Sequence, residues 1–244
     1  MSEEIKEKDK KKEKKVKLKS DKVKERERNL KILKITLLII ALFLILVYFL
    51  LKAIYTSGAF TVILDQELLR QKGIIMYESP DFKEIRSILE APRPEVMDNI
   101  SINWLPANIN DESDGSHNGP NYIAYTFYIE NEGLETNYWY SIVIDDVIKN
   151  VDEAVRVMVF LNGEKTVYAK EESGGYQYPD TKPFYSKEFV MMEQRTNMKP
   201  LDRDKFTVVI WVEGDDPDCL DDIIGGEMKM HMEITSERIL EKGE

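Results

Sequence analysis

The longest apolar run in the sequence lies near its N-terminus and predicts a membrane-spanning helix. Ile35–Leu51 (ITLLIIALFLILVYFLL) contains no charged residue, and Thr36 and Tyr48 carry its only side-chain hydroxyls. As a helix this run would cover roughly 26 Å, close to the roughly 30 Å hydrocarbon core of a bilayer. A buried helix of a soluble core would need a core closing on every side, but Lys-rich sequence precedes this run. We therefore expect one transmembrane helix over residues 35–54.

After this run, residues 55–95 are expected to form either a stalk or the first elements of an outer domain. Leu64–Arg70 is predicted to be a short helix ending near Gly73, and Gly73–Glu78 to be a short strand. Ser79-Pro80-Asp81 looks like a helix N-cap followed by proline at the first helical position. The spacing then predicts a helix that covers the edge or end of a sheet, with one apolar face and two prolines at its end: Phe82, Ile85, Ile88 and Leu89, then Pro92 and Pro94.

From Val96 onward the period of the apolar residues changes to two, which is typical of strands. The pattern predicts seven or eight strands over residues 96–236, with turn signals between them and no long helix. Asn162-Gly163 separates two of them and is a strong signal for a hairpin turn. The expected strands are Ile100–Leu105, Asn121–Asn131, Tyr138–Ile148, Val155–Leu161, Thr166–Ala169, Glu188–Met192, Lys205–Glu213 and Glu227–Thr235.

This succession predicts a mainly β fold, an antiparallel β-sandwich that is jelly-roll-like, over residues 96–236. Residues 237–244 are left as a C-terminal tail. Two strands show the alternation most clearly, and each is expected to turn one face to the core. Those faces are Ile123, Tyr125, Phe127 and Ile129 in one strand, and Met228, Met230, Met232 and Ile234 in the other.

Charge is distributed unequally on the two sides of the apolar run. Residues 1–34 contain 15 Lys and Arg against 8 Asp and Glu, a net charge of +7, whereas the rest of the chain carries −18. Because positive residues stay on the cytoplasmic side, we expect a single-pass protein of the cell membrane with a cytoplasmic N-terminus and an extracellular C-terminal domain. The tail, residues 1–34, has too few apolar residues to fold and is expected to be disordered.

The lysines of this tail indicate two possible roles. They can contact anionic lipid headgroups, although a solvated topology signal explains them more simply. No aromatic residues are interleaved with the lysines for base stacking, so no nucleic-acid partner is expected.

The apolar segment is either an uncleaved anchor or a cleaved export signal. Ser57-Gly58-Ala59, directly before Phe60, resembles the small-residue site at which signal peptides are cleaved. The tail and the apolar run are both longer than in a usual signal peptide, which favours an anchor. Cys219 is the single cysteine, so the exported domain is expected to fold without an internal disulfide.

One acidic stretch is a candidate ion site. Glu213–Asp222 (EGDDPDCLDD) places six carboxylates in ten residues, and their repulsion is relieved either by solvent or by a shared cation. The spacing does not match an EF-hand, so a solvated acidic loop is the alternative to a calcium site. A second polar loop, Asp111–Gly119, is explained more simply as a connection between strands than as an ion site. The candidate calcium ligands are Asp215, Asp216, Asp218, Asp221 and Asp222.

Catalytic signatures are missing from the sequence. No His-Glu-x-x-His motif, no Gly-x-Ser-x-Gly motif and no phosphate-binding loop occurs. His117 and His231 occur in separate contexts, and His231 is expected on the outward face of the methionine-rich strand. Cys219 lies among carboxylates, which disfavour a thiolate. The protein is therefore not expected to be an enzyme and no cofactor other than calcium is indicated.

Residues 121–235 resemble a group of exported Firmicutes β-sandwich proteins that are distantly similar to the TasA/camelysin-type matrix protein family. The resemblance implies an extracellular jelly-roll-like domain with surface or biofilm-matrix association. Camelysin is described as a metallopeptidase, but no metal-ligand motif here supports that activity, and the long Lys-rich tail departs from the group. The blocks that carry the resemblance are FYIENEG (Phe127–Gly133), VRVMVFLNGE (Val155–Glu164), VYAK (Val167–Lys170) and TVVIWVEGDDPDCLDDIIGG (Thr207–Gly226).

Two classes of function follow from these observations. The first is a membrane-anchored cell-surface protein that presents an acidic β-sandwich as an interaction domain, for an unknown protein partner or for self-association. The second is a secreted biofilm-matrix or filament subunit released by cleavage near Ala59, and a metallopeptidase is a distant third. Cleavage distinguishes the first two, because a filament subunit must leave its anchor.

Overall fold

The computed structural model describes residues 30–49, 60–94, 96–172 and 175–239. They belong to two compact units, Met1–Ser57 and Gly58–Glu244. The predicted disordered tail (residues 1–29 of it), the last part of the predicted membrane span and the end of the C-terminal tail lie outside the described residues.

The first unit contains the apolar helix α1, Leu30–Phe49. The helix begins five residues earlier than the predicted span, because apolar residues continue the helical pattern between Lys31 and Lys34. Twenty residues correspond to roughly 30 Å, the thickness of a hydrocarbon core. By length and composition α1 is long and apolar enough to cross a membrane, a test that a signal sequence also passes.

The described residues of the second unit form twelve strands and several single helical turns. The turns are Leu68–Lys72, Ile102–Trp104, Ile109–Asp111, Val151–Glu153 and Asp221–Ile223. The strands are β1 (Phe60–Leu64), β2 (Ile74–Tyr77), β3 (Ile88–Ala91), β4 (Gly115–Ser116), β5 (Tyr122–Asn131), β6 (Thr136–Ile148), β7 (Val155–Leu161), β8 (Glu164–Ala169), β9 (Lys182–Pro183), β10 (Phe189–Met198), β11 (Arg203–Val212) and β12 (Glu227–Thr235).

These strands form two sheets, and the predicted mainly β, sandwich-like fold is confirmed. The first sheet has the order β10-β6-β12-β1-β3, and the second has the order β2-β5-β11-β7-β8-β9, with β4 also paired to β5. The pairing is antiparallel except for two parallel pairs, β1 with β12 and β8 with β9. The first of these parallel pairs joins the first and last strands that the structure describes.

One apolar core lies between the sheets. Val62 and Met232 enter it from the first sheet, and Phe127 and Phe206 enter it from the second. The rings of Phe127 and Phe206 stack with their centroids 5.2 Å apart. The predicted alternation is confirmed, because Ile123, Tyr125, Phe127 and Ile129 of β5 and Met230, Met232 and Ile234 of β12 all belong to this core, with Met228 packed against it.

A second, smaller cluster covers the outer face of the second sheet. It joins Ile100 and Ile109, from the segment before β4, to Tyr122, Met158 and Trp211 of the sheet. The strand predicted at Ile100–Leu105 is wrong: Ile100 makes one bridge to Glu213, and a helical turn follows at Ile102–Trp104. The segment crosses over the sheet instead of joining it.

The helix predicted after Pro80 is also wrong. The described chain there is irregular until β3, and Phe82, Ile85 and Ile88 are all more than half exposed. Leu89 and Ala91 are buried as alternate residues of β3, which pairs with β1. Pairing along β1 therefore overrides a helical spacing that rested on four apolar residues.

Residues 55–95 were predicted to be either a stalk or the first elements of the domain. Their described part forms elements of the domain. β1 lies between β12 and β3 in the first sheet, and β2 is an edge strand of the second. The short helix predicted over Leu64–Arg70 is present as the helical turn Leu68–Lys72, because Leu64 still belongs to β1, and it ends at Gly73 as expected, with a left-handed φ of 73°. A Cβ at this glycine would lie 2.8 Å from Gly133 Cα, so the close approach of the two glycines requires both.

The strand ends define two poles of the domain. At the N-terminal pole, β1 begins opposite the end of β3, β12 begins opposite the end of β6, and β7 begins opposite the end of β11. At the opposite pole, β5 ends beside the start of β2, and β10 ends beside the start of β6. The acidic stretch that follows β11 therefore lies at the N-terminal pole.

Candidate functional site

The segment from Glu213 to Gly226, called here the acidic loop, is fixed at its base by one buried carboxylate. Glu213 accepts hydrogen bonds from Trp211 Nε1 at 3.0 Å, from the Ile102 amide at 3.0 Å and from the Asp215 amide at 3.2 Å. Glu213 is only 8% exposed. This residue therefore has a structural role: it joins β11, the turn at Ile102 and the acidic loop.

Asp216 is held by a cation from another strand. Its side chain is fully buried and pairs with the guanidinium of Arg156 from β7, whose side chain is 4% exposed. Asp216 Oδ1 also accepts hydrogen bonds from the Tyr178 hydroxyl at 2.8 Å and from the Asp218 amide at 2.7 Å. The Arg156 guanidinium lies 4.2 Å from the centre of the Tyr178 ring. Both oxygens of Asp216 are thus already occupied within the protein.

A cleft of about 250 Å³ opens beside this ion pair. Burial and the neighbouring charges of Asp216, Glu172 and Glu153 raise the pKa of Asp218. Such a cleft attracts positively charged groups, because several carboxylates share a small volume. Its lining combines four carboxylates with two aliphatic side chains and one amide: Glu153, Glu172, Asp218 and Asp222, then Leu220 and Ile223, then Asn150.

The five predicted calcium ligands are not brought together. Asp218 and Asp222 line the cleft, Asp216 turns to Arg156, and Asp215 and Asp221 are exposed and do not line it. Within residues 30–49, 60–94, 96–172 and 175–239, no group of three His, Cys, Asp or Glu is placed to hold a metal ion. The calcium hypothesis stays a prediction, and the residues that bear on it are Asp218 and Asp222.

The cleft also contains residues that the sequence did not indicate. Asn150 and Glu153 come from the turn between β6 and β7, and Glu172 follows β8, so these residues lie about 40 to 65 positions before the acidic loop. No local spacing joins them to the aspartates. Arg156 was missed in the same way, although a charged residue in the alternating strand Val155–Leu161 was the one available signal.

The second polar loop, Asp111–Gly119, packs along the second sheet. Asp111 pairs with Lys205 of β11 at 2.8 Å. Asp114 accepts hydrogen bonds from the Tyr128 hydroxyl at 2.7 Å and from Ser79 Oγ at 2.9 Å. Asp111 and Asp114 are thus engaged by the domain itself, and the loop includes the short strand β4, which pairs with β5.

His231 lies on the face of β12 opposite the buried methionines, as predicted. Its Nδ1 is 2.9 Å from Asp145 Oδ2, and its Nε2 is 3.0 Å from Glu233 Oε1. The hydrogen bond with Glu233 and, next, the one with Asp145 raise the pKa of His231, although burial opposes them. The two carboxylates lie on opposite sides of the ring, so they serve as acceptors for both ring protons. Cys219 is a free thiol whose sulfur lies 3.1 Å from Asn99 Nδ2.

Comparisons with known proteins assign no family to this chain. No protein-family model and no curated protein matches it. A crystal structure of β-glucosidase from Kluyveromyces marxianus in complex with glucose is 16% identical, with a TM-score of 0.23, over 69% of this chain and 15% of that one. A selenomethionine-labelled β-glucosidase from the same organism is 11% identical, with a TM-score of 0.24, over 69% of this chain and 17% of that one. The chain matches less than a fifth of either structure, and a likeness at these TM-scores carries no argument about activity.

Proposed function

We propose that the protein is a single-pass membrane protein whose β-sandwich serves as an acidic interaction domain outside the cell. The observation that carries the proposal is α1, a twenty-residue apolar helix near the N-terminus. Its large apolar side chains are between 49% and 62% exposed on all sides, except that of Val47, which is half-buried. A helix that is apolar all round is stable only where its surroundings are apolar too.

The polar groups of α1 also suit a membrane. The hydroxyl of Thr36 donates a hydrogen bond to the carbonyl oxygen of Ile32 at 2.9 Å, so the helix satisfies this group without water. Lys31 and Lys34 lie in the first turns, where long cationic side chains reach the headgroups. The +7 charge of residues 1–34 supports a cytoplasmic N-terminus by the positive-inside rule.

The second candidate is a matrix or filament subunit that is released by cleavage after Ala59. One observation favours it: the compact unit begins at Gly58, and β1 begins at Phe60. Cleavage there would remove α1 and leave every strand of the domain in place.

Two measurements test the proposal. Protease added to intact protoplasts is expected to digest the domain while sparing a tag fused to the N-terminus, and a protected domain would contradict the topology. Mass spectrometry of the mature N-terminus from native membranes is then expected to find the chain uncleaved. A terminus at Phe60 would select the released subunit instead.

A further inference from the structure

We propose that the N-terminal pole of the β-sandwich lies against the surface of the same bilayer that holds α1, with Trp104, Leu220 and Ile224 in contact with zwitterionic lipid. The inference rests on the proposed function, since it requires α1 to be an uncleaved anchor. It adds to that function an interaction surface, the N-terminal pole, and the partner that this surface contacts, zwitterionic lipid.

The first argument is the exposure of apolar side chains at this pole. Trp104 is 74% exposed, Leu220 is 60% exposed and Ile224 is 67% exposed. Their positions are fixed by neighbouring contacts: the turn of Trp104 is joined to Glu213 through the Ile102 amide, and Ile224 lies beside Gly225 at the end of the acidic loop. These three side chains therefore offer apolar surface to a partner at this pole, and the position of the pole along the chain decides which partner.

The second argument is the length of chain between helix and domain. Ten residues, 50–59, separate the end of α1 from Phe60, the first residue of β1. Fully extended, they span at most roughly 36 Å. The N-terminal pole is therefore tethered to the membrane surface at a high local concentration, so a weak affinity for lipid is enough to bring them together.

The opposite pole serves as a built-in comparison. It also exposes apolar side chains, with Leu134 83% and Leu201 80% exposed. The thirteen residues of β6, Thr136–Ile148, run from one pole to the other and cover roughly 43 Å. Leu134 and Leu201 thus lie a full domain length from the tether. Exposure alone does not distinguish the poles, but the tether does.

The carboxylates at this pole favour a zwitterionic lipid surface over an anionic one. The acidic loop, which includes Leu220 and Ile224, also carries Asp215, Asp218, Asp221 and Asp222. An anionic lipid surface would repel these carboxylates, whereas a zwitterionic surface would not. Tryptophan is enriched at the headgroup level of membranes, because its ring is apolar and its N–H is polar. Trp104 provides such a side chain at this pole.

The chain is well suited to a quenching experiment. It has three tryptophans, and α1 has none. Trp211 is fully buried, and Trp139 is half-buried and pairs with Thr235 near the opposite pole. The full chain is reconstituted into phosphatidylcholine vesicles with brominated or unbrominated acyl chains. Bromine is expected to quench the emission of wild type, and Trp104→Phe is expected to reduce that quenching at least about threefold, because the exposed indole at the headgroup level is removed.

Matched variants assign the quenching to one pole. Trp104→Phe combined with Leu134→Trp moves the exposed indole to the opposite pole, and we expect no quenching to return. Leu220→Ser with Ile224→Ser is expected to weaken quenching of Trp104, whereas Leu134→Ser with Leu201→Ser is expected to leave it unchanged. All four leucine and isoleucine positions are at least 60% exposed, so these changes leave the core intact.

The outcomes separate the inference from the function on which it rests. Failure of the full chain to float with vesicles would overturn the membrane anchor itself. Flotation without quenching of Trp104 would overturn the inference and leave the anchor standing. A blue shift of Trp104 that appears only at high protein-to-lipid ratio, without quenching, would show that a second copy covers this pole, and it would also overturn the inference.

Discussion

Two aspartates of the acidic loop, Asp216 and Asp221, have the same side chain but opposite environments. Asp216 is fully buried against Arg156, while Asp221 is exposed in the last helical turn. A buried charge without its partner is far costlier than an exposed one, because the protein interior solvates it poorly. The carboxylates of this loop therefore have two different roles: Asp216 stabilises the fold, whereas Asp221 faces solvent.

Asp216→Ala is expected to lower the free energy of unfolding by about 3–5 kcal/mol, because it leaves the Arg156 guanidinium buried and unpaired. Asp221→Ala removes the same group from the same loop and is expected to change stability little. Chemical denaturation of the full chain in detergent micelles, followed by near-ultraviolet circular dichroism, compares the two. Equal denaturation midpoints would show that Arg156 and Asp216 do not form the pair described.

His231 contributes a pH-dependent part of the stability. Its folded-state pKa lies above the ordinary value near 6.5, because the protonated ring donates to both Glu233 and Asp145. A raised pKa means that the folded state binds the proton more tightly than the unfolded state. The stabilisation is therefore complete below about pH 6.5 and is lost as the pH rises through the folded-state pKa.

We expect the free energy of unfolding of the wild-type protein to fall as the pH rises above about 6.5, and we expect this fall to be absent in His231→Gln. His117→Gln leaves the cluster of His231, Asp145 and Glu233 intact and is expected to keep the decline. Denaturation midpoints at several pH values provide the measurement, and NMR titration of the two histidine rings identifies which one titrates. An identical pH profile in wild type and His231→Gln would contradict this role.

At the scale of elements, β1 shows that the chain before Val96 belongs to the folded domain. Val62 and Leu64 of this strand are at most 1% exposed, and β1 is paired on both edges. A stalk would have neither property. The sequence alone did not decide between a stalk and a part of the domain, because a pattern of five residues is too short to be distinguished from the end of an apolar segment.

Leu64→Ala is expected to cost about 2–5 kcal/mol in free energy of unfolding, since it opens a cavity between the sheets. Leu134→Ala is the matched control, because the same change is made at a side chain that is 83% exposed. The two variants are compared by thermal denaturation in the same detergent. If Leu64→Ala matched Leu134→Ala in stability, β1 would not be packed as described.

The elements that the sequence predicted well are those with long periodic patterns. β12 has the predicted bounds, Glu227–Thr235, and β7 has the predicted bounds, Val155–Leu161. The helix after Pro80 failed because four apolar residues fit both a helical face and an irregular chain that ends in a strand. Only the pairing of β3 with β1 decides between them, and that partner lies about 27 positions away.

For the whole molecule, the fold class was accessible from sequence but the site was not. Alternation predicts strands locally, whereas the cleft depends on which loops meet at one pole. Asp218 and Glu172 line the same cleft although 46 positions separate them. Hydrogen bonds between tyrosine hydroxyls and carboxylates also join residues that are far apart in sequence. The Tyr138 hydroxyl, for example, donates to Asp204 at 2.7 Å across 66 positions. Contacts of this kind depend on which distant segments the fold brings together. The local spacing of residues predicts helices and strands but does not show which of them meet.

The parallel pairing of β1 with β12 joins two distant segments of the chain and is expected to form late in folding. Thr61 is paired with His231, so the first described strand binds the last described one, which is synthesised about 170 residues later. In the described sheet order, β12 joins β1 and β3 to β6 and β10, and neither half of the sheet reaches the other without it. Contacts between such distant segments form late, because a long loop must close first. Until the nine residues of β12 have been synthesised, β1 has only β3 as a partner, and its other edge stays open to chaperones.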